Sequence, residues 1–239
     1  MLNGTKAFIT AAGVSDFYLI MCRTGQVGPK GISCLVVEKD MPGLHFGKAE
    51  DKLGWNCSPT RMVHLEQCHV PIQNLLGKEG DGFKIAMKGI NGGRVNISST
   101  SLGAAQYAME ETLGYVRERR QFNTRVADFQ NTQFKLAEYA TDLLSSRLAV
   151  RAAASALDVA LNSSDPESAA QASVMAAAGK FLATERCYQL IDGCLQLFGG
   201  YGYLKDYPLQ QLLRDTRVNR ILEGTNEVMR IIVAKHLLK

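Results

Sequence analysis

The sequence predicts an α+β protein in which an antiparallel β domain precedes a helical bundle, and three observations carry the prediction. Through about residue 75, short β-branched and aromatic runs alternate with turn signals such as Gly28-Pro29-Lys30-Gly31 and Met41-Pro42-Gly43. From about residue 82 these breakers thin out, and apolar residues return at helical spacing, as at Leu136, Ala140, Leu143, Leu144 and Leu148. The stretch 162–166 then interrupts the helical text, with Pro166 suited to the first turn of a new helix.

In chain order, strands are expected at residues 6–11, 17–23, 32–38 and 61–70. Long helices are expected at 82–118, 132–162 and 166–197, with shorter ones at 208–218 and 225–238. Long helices joined by short loops pack as antiparallel neighbours. The pattern divides the chain into a β domain over residues 1–78 and a helical domain over 79–239. Asn3-Gly4 is a strong two-residue hairpin signal, because both central positions of a type I′ turn need positive φ. Read as a hairpin, it joins two strands of which the first would lie before Met1, so the β domain is expected to be partial. Asn-Gly in a loop is the alternative.

Composition narrows the function classes. With 239 residues, 46% of them hydrophobic and 21% charged, the chain can bury a core, and disorder is excluded as its main state. The net charge of +4 comes from scattered basic residues, which argues against a nucleic-acid surface. No run approaches the roughly 20 apolar residues of a membrane helix, so membrane insertion is not expected. Cys22, Cys34, Cys57, Cys68, Cys187 and Cys194 contain no C-x-x-C pair and read as reduced, mostly buried thiols. His45, His64, His69 and His236 do not cluster, and no metal site is expected.

The stretch from Cys194 to Arg230 carries most of the chemistry. Gly199-Gly200-Tyr201-Gly202 falls where a long helix should end. Glycines there serve either as a helix C-cap or to let backbone approach a ligand closely. Further on, Glu223 stands between apolar residues and Gly224, just before Thr225, a good N-cap for the last helix. A carboxylate so placed is either a neighbour of the cap or a general base tuned by apolar surroundings. Taken alone, the basic run Arg117–Arg120 reads as a solvated helix end, and Phe8 and Ile9 as strand core.

The combination LFGGYGYLKDY, RD and ILEGTNEVMR resembles the C-terminal signature of the acyl-CoA dehydrogenases, flavoenzymes that introduce a Cα–Cβ double bond into acyl-CoA thioesters. NGTKAFIT resembles the family's flavin-facing strand, KLGWNCSPTRMVHLE its middle sheet, GINGGRVNISSTSLGAA the start of its long helix and RERRQF its pyrophosphate-binding turn. The resemblance covers nearly the whole chain. It implies an up-and-down four-helix bundle after the β domain, FAD as cofactor, a homotetramer built as a dimer of dimers with FAD at the subunit interface, electron-transfer flavoprotein as redox partner, and the mitochondrial matrix. Within the family, Phe8, the Asn91–Arg94 run and GYGYLKDY resemble the members that act in valine degradation, which implies a short branched substrate, isobutyryl-CoA.

Carried over by position, Glu223 matches the catalytic base. Some relatives carry the base just before the arginine of the first long helix, where this chain has Gly93. Thr10 matches the hydroxyl residue beside flavin N5, with Phe8 and Ile9 lining the ring. Arg119 and Phe122 match the turn that reaches a neighbouring subunit's FAD, and Phe129 and Gln130 the adenine-side segment. Gln196, Leu197, Phe198, Gly199 and Gly200 match a further cofactor segment, while Thr225, Asn226 and Glu227 follow the base toward the flavin. For substrate, Asn91, Gly92, Gly93 and Arg94 match the segment beside the acyl chain, the glycines leaving room for a branch at Cα. Lys235 stands where an arginine contacting CoA is expected. Family members carry a further N-terminal domain and further strands, so two readings follow: a short branched-chain dehydrogenase, or a non-catalytic product that only assembles with full-length subunits. A dehydrogenase for another short acyl-CoA is the remaining alternative.

Overall fold

The computed structural model describes residues 1–239, which form two compact units, 1–89 and 90–239. In the first, β1 (Leu2–Thr10), β5 (Thr60–Cys68) and β4 (Leu44–Phe46) make an antiparallel sheet in the order β1-β5-β4, and β2 (Phe17–Arg23) pairs with β3 (Ile32–Glu38) in a separate antiparallel ribbon. Alternating residues of these strands, among them Tyr18, Ile20, Val37, Val63 and Leu65, build one apolar cluster with Ala12, Leu44 and Cys68. Both sheets are open, so the β part is a set of short paired strands.

Two local readings change here. Asn3-Gly4 is not a hairpin turn: both residues lie inside β1, where the register against β5 slips between Leu2 and Gly4 and Gly4 takes φ 145°. The positive φ that the dipeptide favours is used by a bulge. A second slip falls between Lys6 and Ile9, with Phe8 at φ 55° and 78% exposed, while Ile9 packs on the apolar cluster. Phe8 is therefore not strand core. The three-residue strand β4 escaped the sequence reading because it is too short for alternation to register.

The second unit is helical. Helix α1 (Gly82–Glu118) starts in the first unit and runs into the second, followed by α2 (Gln130–Leu161), α3 (Pro166–Phe198), α4 (Leu209–Thr216) and α5 (Asn226–Leu237). Asp165 caps α3 by accepting from the amides of Glu167 and Ser168 at 3.1 Å, with Pro166 in the first turn. The four-residue connection makes α2 and α3 a hairpin, and α3 is central, packing also on α4 and α5. The core takes Leu102, Ala105 and Ala108 from α1, Leu143 and Val150 from α2, Ala183, Leu190 and Ile191 from α3, and Leu209 from α4. Leu144 and Leu148 of the apolar stripe on α2 stay exposed, because the chain covers only one face of that helix. Between α1 and α2, β6 (Arg120–Gln121) and β7 (Thr124–Arg125) form a minimal hairpin.

All six cysteines are free thiols; Cys34, Cys68, Cys187 and Cys194 are buried and Cys57 is exposed. Burial pushes the Cys187 thiol up to about 12 and Cys194 to about 11.

Candidate active site

The turn from Leu222 to Thr225 links a short 3-10 segment, Arg217–Arg220, to α5. Both of its central residues have left-handed backbone, Glu223 at φ 58° and Gly224 at φ 89°. Glycine adopts such a φ freely, but for glutamate it costs on the order of 1 kcal/mol and must be held by its surroundings. Two buried cations hold it. Arg94 of α1, 5% exposed, donates Nε to the Glu223 carbonyl at 3.2 Å and Nη1 to Asn91 Oδ1 at 2.8 Å. Lys180 of α3, 1% exposed, donates Nζ to the Gly224 carbonyl and to Asn226 Oδ1, both at 2.9 Å.

The Glu223 carboxylate itself accepts no hydrogen bond and enters no ion pair within the chain. It lies over Gly93, where an added Cβ would stand 2.5 Å from Oε2. Burial raises the Glu223 carboxyl above the ordinary glutamate value, and the charges of Arg94 and Lys180 pull it back down. Burial likewise lowers Lys180, to about 8, helped by repulsion from Arg94. The result is an unpaired, partly desolvated carboxylate on a pinned turn, the arrangement that general-base chemistry asks for.

Sequence reasoning placed Glu223, Gly93, Arg94 and Asn91 here but passed over Lys180, which looks like any lysine in an alanine-rich helix. A signal was available: Lys180 is the one lysine between Ser168 and Glu185, on a stretch that is otherwise almost wholly apolar or small. The geometry also reassigns space. The room freed at Gly93 is taken by the Glu223 carboxylate, whereas a Cβ at Gly92 would meet nothing within 4 Å. Asn226, expected to face a cofactor, spends its side chain on Lys180, on Thr184 Oγ1 at 3.2 Å and on Glu185 Oε2 at 3.1 Å. Thr225 caps α5 through the Val228 amide, the exposed Glu227 pairs with Arg230 at 3.1 Å, and Lys235 is exposed in the last turn of α5.

A second feature gathers six more of the sequence candidates. Arg119, Gln196, Leu197, Phe198, Gly199 and Gly200 line one groove of about 440 Å³, together with Tyr115 and Tyr201. Gly199 ends α3 at φ 61°, and a Cβ on either glycine would meet nothing, so the floor of the groove is bare backbone. Tyr115 stacks on Phe198 with centroids 4.1 Å apart, and the Arg119 guanidinium stands 5.3 Å from the Tyr201 ring centre. Arg119 is thus half-buried in a groove rather than solvated like Arg117 and Arg120.

Phe122 sits at the tip of the β6–β7 hairpin, where it and Asn123 take φ 52° and 60° as the central pair of a two-residue turn. A bulky aromatic with left-handed backbone and 89% exposure is poor for folding alone. Phe129 precedes α2 and is half-buried, while Gln130, its first residue, is exposed. Thr10 closes β1 opposite Thr60 and is exposed.

Family models give this architecture its place. The model of the acyl-CoA dehydrogenase middle domain matches residues 1–68, and that of the acyl-CoA dehydrogenase C-terminal domain matches residues 80–238. The chain belongs to the acyl-CoA dehydrogenase family. It is 53% identical to mitochondrial isobutyryl-CoA dehydrogenase of Dictyostelium discoideum over 240 residues, and 50% identical to that of Bos taurus over 239. Each match takes in the whole of this chain and 56% of the relative, so the chain spans little more than half the length of these proteins. The solved structure of butyryl-CoA dehydrogenase from Megasphaera elsdenii superimposes with a TM-score of 0.92 at 35% identity, over 99% of this chain and 60% of that one.

Proposed function

We propose that this chain is the middle and C-terminal portion of an FAD-dependent dehydrogenase that converts isobutyryl-CoA to methacrylyl-CoA, with Glu223 as the base. The observation that carries the reading is the free Glu223 carboxylate over Gly93, on a turn fixed by Arg94 and Lys180. Identities of 50% and 53% to isobutyryl-CoA dehydrogenases, against 42% to an acyl-CoA dehydrogenase of Bacillus subtilis, support the substrate.

The residues present fit FAD. The groove of Arg119 and Gln196–Gly200 offers a guanidinium fork for a pyrophosphate and bare backbone for close approach. Phe122 would reach the same FAD, that of a neighbouring subunit, with Phe129 and Gln130 on its adenine side. In the first unit, Phe8, Ile9 and Thr10 would line the ring of this chain's own FAD. Bound FAD supplies the acceptor for the hydride that leaves Cβ.

The chain's own work is the proton. An α-proton of a thioester is a very weak acid, so Glu223 must be held against it in the ionised form. Arg94 and Lys180 help keep the carboxylate charged without tying it up. As the proton leaves, charge develops on the thioester oxygen and needs fixed donors, of which the Glu223 backbone N–H would be one. Gly92, Asn91 and Arg94 border the acyl group, and Lys235 is the weaker candidate for a CoA contact.

On this reading the protein works in the mitochondrial matrix as a homotetramer, a dimer of dimers with FAD at the subunit interface, and passes electrons to electron-transfer flavoprotein. The test is the visible spectrum of the flavin-loaded protein with and without isobutyryl-CoA, in parent and Glu223→Gln forms. The flavin band should bleach in the parent and persist in Glu223→Gln, with yellow colour retained in both. Bleaching at the parent rate in Glu223→Gln would move the base elsewhere.

A further inference from the structure

Lys180 is the bulkiest side chain that the fold buries completely. Burying an ammonium is costly, and a methionine would fill the same space without that cost. A lysine survives in such a place when its hydrogen bonds do something a hydrocarbon cannot. Here both hydrogen bonds of the ammonium end at the turn bearing the proposed base: one on the Gly224 carbonyl, one on Asn226 Oδ1 just beyond it.

The surrounding network keeps Lys180 aimed at those two atoms. Thr184 Oγ1, one helical turn along α3, donates to the Lys180 carbonyl at 2.8 Å and also bonds Asn226 Oδ1. The Asn226 amide donates to Glu185 Oε2, and Glu185 is held by a two-point pair with Arg220 at 2.7 and 3.0 Å. Asn226 is therefore fixed by three residues of α3, one of which, Glu185, is itself held by Arg220 of the segment before the turn. The carboxylates around Lys180 are not its hydrogen-bond partners, so it does not behave as half of an ordinary ion pair.

We propose that Lys180 is a positioning residue for the α-proton transfer: by tying the Gly224 carbonyl to α3 it holds Glu223 in its left-handed conformation with the carboxylate over Gly93. Arg94 pins the carbonyl before it, so successive carbonyls of the turn, Glu223 and Gly224, are each bound to a buried cation on a different helix. Without Lys180 the Gly224 carbonyl loses its anchor, and Glu223 can relax toward an ordinary backbone conformation that swings the carboxylate away. The inference rests on the reading of Glu223 as the base.

The test separates the two. Acetyl-CoA has α-hydrogens and no β-carbon to oxidise, so the FAD-loaded protein in D2O reports proton abstraction alone: the carboxylate takes the α-proton, exchanges it with solvent and returns a deuteron. NMR follows the loss of the α-proton signal in parent, Glu223→Gln and Lys180→Met proteins of matched FAD content and mass. The maximal exchange rate in Lys180→Met should fall by about ten- to a hundredfold, with the half-saturating acetyl-CoA concentration unchanged. If Glu223→Gln stops exchange and Lys180→Met exchanges at the parent rate, the positioning role is overturned and the base reading stands. If Glu223→Gln exchanges normally, the base reading falls and this inference with it. Should Lys180→Met not assemble with FAD, Lys180→Gln, which keeps an amide donor and loses the charge, is read in the same way; failure of both to assemble would make Lys180 a folding residue and overturn the proposal.

Discussion

Gly93 and Glu223, 130 positions apart in the chain, occupy what would be one side-chain volume: a methyl group on Gly93 would stand 2.5 Å from Oε2 and 2.6 Å from Cδ of the glutamate. A carboxylate from position 223 and a side chain at position 93 cannot both fill that space. This gives a physical reason for a glycine in the middle of α1, where glycine is otherwise unfavourable by about 1 kcal/mol.

Gly93→Ala should therefore act through the carboxylate. The expected outcome is a loss of turnover of at least about tenfold, equal for isobutyryl-CoA and n-butyryl-CoA, with FAD content unchanged. Gly92→Ala, which meets open space, should fold normally and affect the branched substrate more than the straight one. Steady-state rates with the two substrates check both. A selective loss of the branched substrate in Gly93→Ala would restore the simpler role of making room.

The base must be ionised to work, and burial holds its carboxyl above the ordinary 4.5. Turnover should thus rise with pH along an acid limb centred above 4.5. Lys180 and Arg94 are the positive neighbours that oppose the rise. Deleting the Lys180 charge disfavours the carboxylate, so Lys180→Met should shift the limb to higher pH. A pH profile of maximal turnover for the two proteins decides, and a limb that stays or moves down counts against the electrostatic coupling.

Arg119 is expected to carry FAD affinity rather than chemistry. Loss of a hydrogen-bonded charge on phosphate costs about 1.5–3 kcal/mol, so Arg119→Met should raise the FAD dissociation constant roughly ten- to a hundredfold. Arg119→Lys should recover only part, because a point charge cannot replace the planar fork. Titration of apoprotein with FAD, followed by flavin fluorescence, measures this.

Phe122 should show a trade between folding and binding. Its left-handed backbone suits asparagine better, so Phe122→Asn is expected to stabilise the hairpin by about 0.5–1 kcal/mol while weakening FAD binding. Thermal unfolding of the apoprotein and the same FAD titration should move in opposite senses. A variant that gains stability and keeps full affinity would remove Phe122 from the cofactor site.

Thiol labelling gives a check on the fold. Cys57 is exposed, whereas Cys187 and Cys194 are buried with thiols pushed to about 12 and 11. Near neutral pH, Cys57 should react with a maleimide in minutes, and Cys187 and Cys194 only on unfolding. Mass spectrometry of the labelled peptides reads the order.

Much of this was legible in the text of the chain. The expected span 82–118 coincides with α1, and the 17–23 and 32–38 spans with β2 and β3, because local period, breakers and caps all agree there. Asn3-Gly4 was misread because the dipeptide specifies only a positive φ, which a bulge satisfies as well as a turn. The stripe Leu136–Leu148 revealed a helix but not which of its residues the chain covers: Leu143 is core, Leu144 and Leu148 are not. Glu223, Arg119 and Gly199–Gly200 stood out through the motifs that resemble the family's, since each taken alone also reads as a helix end or cap.

The division between sequence and tertiary structure follows from range. Period, capping and motif are set by residues a few positions apart, so the sequence by itself determined the longer strands and helices and the family, and singled out Glu223 as the candidate base. What that carboxylate can do depends on contacts of its turn across 129 positions, from Arg94 to the Glu223 carbonyl, and across 44, from Lys180 to the Gly224 carbonyl. Only the packed helices bring a gap at Gly93, a guanidinium and a buried ammonium to one turn. Burial then makes each of those contacts count, because removing water is what raises Glu223, lowers Lys180 and leaves strained backbone no easier place to go.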